Sequence, residues 1–101
     1  MKKTEKSSNG TSFHGVTITT SIGKLVKVLG EPSYFGEDTV EDKVNFLWGC
    51  ELDNGHVVTV YDWKEYRLIN RFENIEFHIG GMSKMDTFDA QSYLVNATEE
   101  I

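Results

Sequence analysis

Apolar and polar positions alternate from Phe13 to Thr20, which predicts a short strand with Val16 and Ile18 on one side and Thr17 and Thr19 on the other. The period then changes. Ile22, Leu25, Val26 and Leu29 recur at helical spacing behind Ser21, an N-cap residue, and Gly30 and Pro32 stop the helix. Alternation returns from Val44 to Trp63 around Asn54-Gly55, the pair favoured in a two-residue type I′ turn. Counting back from that turn pairs Leu52 with Val57, Cys50 with Thr59, Trp48 with Tyr61 and Phe46 with Trp63, an aromatic band on one face. The second face carries Leu47, Val58 and Val60 beside Asn45, Glu51 and Asp62. Half apolar, it is read as covered by the tail, a helix or another subunit.

Lys64 to Glu73 is a polar connection. Asn74 to Ile79 alternates again, with Ile75, Phe77 and Ile79 inward and Glu76 and His78 outward, and Gly80-Gly81 ends it. Ser83 with Asp86 forms a capping-box-like pair opening a second helix, whose expected apolar stripe is Met85, Phe88, Ser92 and Val95. The order β-α-β-β-β-α predicts an α+β fold, an antiparallel sheet packed on one or two helices. Residues 1–12 are polar and read as a disordered tail, leaving 13–101 as a single domain.

Composition narrows the function. The chain has 101 residues, 39% of them hydrophobic, with a net charge of −6. That acidity argues against a direct nucleic-acid binder, which must neutralise phosphates, and suits a protein partner with a basic surface. Cys50 is the only cysteine, so no internal disulfide forms and a reducing cytoplasm is expected. Its place in the Phe46-Trp48-Cys50-Leu52 alternation makes it a small core residue. No apolar run approaches the ~20 residues of a membrane span, and no secretory h-region follows Lys2 and Lys3.

No catalytic signature is complete. A Cys50–His78 nucleophile–base pair needs an exposed thiol, and an Asp62–His78 couple lacks a nucleophile and an oxyanion donor. His14, His56 and His78 lack metal-site spacing, and Glu37, Asp38, Glu41 and Asp42 lack the calcium-loop pattern, so neither metal nor cofactor is expected. The expectation is a non-enzyme. The partner-binding residues are Trp63, Tyr66 and Arg67 as anchors, with Glu37, Asp38, Glu41 and Asp42 as an acidic rim. A second reading is a binder that sequesters a phosphorylated signalling nucleotide. There Lys64, Arg67, His78, Gly80, Gly81 and Ser83 hold phosphate near a helix start, at a site that oligomerisation completes.

Two resemblances bear on this. From Leu25 to Asp62 the order of Leu29-Gly30-Glu31-Pro32, a strand with Trp48-Gly49 and a strand Val57 to Tyr61 resembles the helix-plus-hairpin unit of the β-lactamase-inhibitor-protein and outer-membrane-assembly-lipoprotein fold group. That resemblance implies a non-catalytic α+β module that binds proteins. The segments Tyr61-Asp62-Trp63-Lys64 and His78-Ile79-Gly80-Gly81 are similar to small proteins of tailed bacteriophages. That similarity implies a host-directed role, such as an inhibitor of a host defence or metabolic protein in the host cytoplasm.

Overall fold

A computed structural model of the chain describes residues 1–35, 44–65 and 69–101. The acidic rim Glu37, Asp38, Glu41 and Asp42 and the anchors Tyr66 and Arg67 lie outside the described residues. The elements are β1 (Lys2–Lys3), β2 (Ser12–Thr20), α1 (Ile22–Leu29), β3 (Tyr34–Phe35), β4 (Phe46–Glu51), β5 (Val57–Asp62), β6 (Ile75–Gly81) and α2 (Lys84–Glu99). The strands form one antiparallel sheet in the order β1-β4-β5-β6-β2, with β3 also on β4. With two helices this is an α+β fold. No helix among the described residues is long and apolar enough to cross a membrane.

Both helices pack on one face. Ile22, Leu25 and Leu29 of α1 and Ala90 and Leu94 of α2 share a buried cluster with Ile18, Trp48, Cys50, Val58, Val60, Phe77 and Ile79. The local signals of α1 hold. The Ser21 hydroxyl accepts from the Lys24 N–H at 3.2 Å, and Gly30 at φ 84° donates to the Val26 carbonyl. Trp48, fully buried, donates from Nε1 to the Gly30 carbonyl at 2.9 Å, tying the helix end to the sheet.

The hairpin register differs from the type I′ expectation. The Leu52 N–H donates to the His56 carbonyl and the Gly55 N–H to the Leu52 carbonyl, both at 2.9 Å, which closes a three-residue loop. Gly55 alone in that loop has positive φ, 86°. This is the geometry of a type I turn followed by one left-handed residue. The Asn54 side chain stabilises it by accepting from the His56 N–H at 2.8 Å. The extra residue shifts the ladder by one, so Cys50 pairs with Val58, Trp48 with Val60 and Leu47 with Tyr61. A one-residue slip turns every side chain of a strand over. Val58, Val60 and Asp62 therefore face the helices, while Tyr61 leaves the expected aromatic band for the opposite face.

The first twelve residues depart from the expected tail. Lys2–Lys3 pair with Glu51 and Cys50 on the outer side of β4, and the chain then crosses to the far sheet edge, where Ser12 pairs with Gly81. It passes over the hairpin end of the helix-free face. There Thr4 and Lys6 bond the Glu51 carboxylate, Lys6 at 2.8 Å, and Val57 and Thr59 are buried. The Lys6 bond is the main influence holding the Glu51 carboxyl below its usual range.

In α2 the cap is as expected, with the Asp86 N–H donating to the Ser83 hydroxyl at 3.2 Å. The predicted stripe is reversed. The buried residues are Asp86, Thr87, Ala90, Leu94 and Thr98, while Met85, Phe88 and Val95 are exposed. The cause lies in the sheet: Gly80 and Gly81 belong to β6 rather than ending it, and neither has positive φ. A Cβ on Gly81 would stand 2.7 Å from the Thr87 Cγ2, so the bare backbone lets a helix face of small residues come close.

Candidate functional site

The helix-free face carries a ring assembly that no single stretch of sequence contains. Outward positions of β5 and β6 bring Tyr61 opposite His78. The edge strand β2 adds Phe13. Its register against β6 shifts between Phe13 and Thr17, where Gly15 takes φ 84°. Such a bulge re-aims a side chain, and here it accompanies Phe13 stacked on His78, with ring centroids 4.0 Å apart and planes 11° from parallel. Trp63, two residues beyond Tyr61, stacks on His78 at 5.9 Å and 24°. Tyr61 meets Trp63 edge-on at 6.3 Å and His78 at 5.7 Å. The Lys64 ammonium lies 5.8 Å from the Trp63 ring centroid. Phe13 and Trp63 remain 44% and 40% exposed, which makes the assembly a surface feature and not a second core.

Its electrostatics favour neutrality. Burial lowers the His78 pKa, with Glu76 pulling the other way, and burial raises the Tyr61 phenol. The lowered pKa favours the neutral imidazole, which His78 presents between two rings.

Trp63 is held by the strand end behind it. Asp62, fully buried on the helix side, accepts from the Asn45 and Phe46 N–H groups and from the Asn45 Nδ2, each at 2.8 Å. The Asn45 Nδ2 also donates to the Glu65 carbonyl at 2.9 Å. One buried carboxylate therefore ties the start of β4 to the Trp63-Lys64-Glu65 segment, in which Lys64 takes the unusual φ of 57°.

The described residues of the expected phosphate-binding group do not share one site. Lys64, His78 and Gly80 belong to the helix-free face, whereas Gly81 abuts α2 and Ser83 caps it; Arg67 lies outside the described residues. The first turn of α2 carries a carboxylate of its own, which disfavours a second anion there. Asp86 accepts from His56 Nδ1 at 2.8 Å and from Asn54 Nδ2 at 3.1 Å. Nor do the two considered catalytic pairs meet, since Cys50 and Asp62 face the helices and His78 faces away. Burial pushes the Cys50 thiol up to about 11, which keeps it protonated and inert. Among the described residues no three potential metal-ligating side chains come together.

Phe13 and Tyr61 are members not expected from the sequence, Tyr61 because the register slip takes it out of the expected core band. The signal for Phe13 was an aromatic on the same side of the strand as Thr17 and Thr19. Elsewhere, Lys24, Lys27 and Arg71 line an open cleft of about 380 Å³ with Phe72, but these are solvated side chains on the outer side of α1.

The Asp86 cluster yields a pH prediction. Burial alone would raise the Asp86 pKa, and the bonds from His56, Asn54 and Ser83 outweigh it and bring it below the usual value. A depressed carboxyl contributes stability above its unfolded pKa and loses it as pH falls through the folded one. In thermal melts from pH 7 to pH 3, wild type is expected to lose more of its Tm than Asp86→Asn does, with the difference arising below about pH 4. Equal losses would show that the cluster is not coupled to folding. No family model, curated protein or solved structure matches this chain.

Proposed function

We propose that this protein is a non-enzymatic binding module that docks a protein partner on its helix-free sheet face, with Trp63 as the central anchor. One observation carries the reading: Phe13, His78, Trp63 and Tyr61 form a continuous ring assembly on the sheet face away from both helices, its two outer members over a third exposed. Interfaces concentrate their energy in such aromatic anchors, which give large contact area at low entropic cost. Lys64 and Glu76 supply polar neighbours at its margin. The net charge of −6 favours a partner with a basic surface, through faster encounter more than tighter contact. The biological setting we propose is inhibition of a host protein.

Immobilised protein, challenged with bacterial lysate, is expected to retain a protein that Trp63→Ala does not. With that partner purified, Trp63→Ala should weaken binding by about 30-fold or more. Phe13→Ala should weaken it less, and circular dichroism should show both variants folded. Retention of full affinity by both variants, or no partner from any lysate, would defeat the proposal.

A further inference from the structure

The sequence pattern of α2 and its packing disagree in an informative way. Met85, Phe88, Ser92, Val95 and Glu99 follow the three-four spacing of a coiled-coil seam, and all five are exposed. Met85 is 67% exposed, Phe88 43% and Val95 37%, with Met82 just ahead of the helix at 42%. Apolar residues this closely aligned on one helix face mark a contact surface.

The seam is complementary to itself. A two-fold axis beside the helix, level with the gap between Gln91 and Ser92, sets Phe88 level with the other copy's Val95 and Lys84 level with its Glu99. The same axis serves both pairs. Two copies of α2, antiparallel about it, place each Phe88 against the other copy's Val95 and each Lys84 against the other's Glu99. Lys84 already lies on this side, its ammonium 5.8 Å from the Phe88 ring centroid. Ser92, the smallest side chain of the seam, falls at the axis, where two helices must approach to about 8–10 Å. Antiparallel helix dipoles also suit one another.

From these relations we infer that the outer face of α2 is a self-association surface, pairing two copies antiparallel through Phe88, Val95, Lys84 and Glu99. One helix face offers less than the roughly 800 Å² per partner of tight dimers, so the dimer is weak. The dimer would carry two ring assemblies, and it does not depend on the partner proposed above.

Sedimentation equilibrium of the whole chain tests it. Wild type is expected to be monomeric at ~1 µM and substantially dimeric at ~500 µM, a free energy of about 5 kcal/mol. Phe88→Asp should keep the fold by circular dichroism and stay monomeric throughout. Lys84→Glu and Glu99→Lys should each weaken the dimer by about 3-fold or more, and the two together should restore it, since opposite charges again face one another. A wild type still monomeric at ~500 µM would overturn the inference. So would a dimer untouched by Phe88→Asp, which would lie on another face. A double charge swap no better than the single changes would overturn the antiparallel register.

Discussion

Asp62→Ala is expected to destabilise the fold by about 3–5 kcal/mol, a large share of the ~5–15 kcal/mol typical of such domains. The side chain is fully buried and accepts three hydrogen bonds, two of them from the backbone N–H groups of Asn45 and Phe46 at 2.8 Å. Removing it leaves those donors without a partner and out of reach of water, and that desolvation exceeds the modest net value of an ordinary hydrogen bond. Asp62→Asn keeps one acceptor oxygen and should cost about half as much. Urea denaturation of the three proteins measures both values. The same change should loosen Trp63, since Asn45 links Asp62 to Glu65 just beyond it. A loss under about 1 kcal/mol would mean that the strand end does not depend on this carboxylate.

The second large effect concerns contact between helix and sheet. Gly81→Ala is expected to cost about 2–3 kcal/mol, because its new methyl would lie 2.7 Å from the Thr87 Cγ2 and 3.3 Å from the Ser83 carbonyl oxygen. Thr87 cannot simply rotate away. It is fully buried, and its hydroxyl donates to the Lys84 carbonyl at 2.6 Å. The helix must move or the side chain must strain. Thr87→Ser removes the offending methyl and keeps the hydroxyl, so the double variant should be more stable than the sum of the single losses by about 1 kcal/mol or more. Strict additivity would show that Gly81 is needed for some other reason.

These two positions illustrate how much of the molecule is legible in its residue order. The first helix could be read because Ser21, the apolar stripe and Gly30 act within a few residues of one another. The last strand, β6, could be read because Ile75, Phe77 and Ile79 alternate without interruption, and Trp48 and Cys50 because both lie in such an alternation. The hairpin pattern was equally clear, but its register rests on one loop residue. Asn-Gly fits either a two-residue turn or the observed three-residue loop, and the choice turns β5 over. That step moved Tyr61 from the expected core band to the surface beside Trp63. For the candidate site, Trp63 and His78 were legible as unusual residues, whereas Phe13 was not, since its approach depends on a bulge and on strands 60 residues apart in the chain.

By itself the sequence determined the α+β class, the two helix N-caps, the inward residues of β2, β4 and β6 and the burial of the single cysteine. Each follows from local periodicity or local hydrogen bonding. Only the tertiary structure decided which sheet face each β5 side chain takes, which face of α2 meets the sheet, and that Phe13, Tyr61, Trp63 and His78 come together. Those outcomes depend on long-range register and on how closely backbones can approach at Gly81. Neither is encoded in the spacing of any one segment.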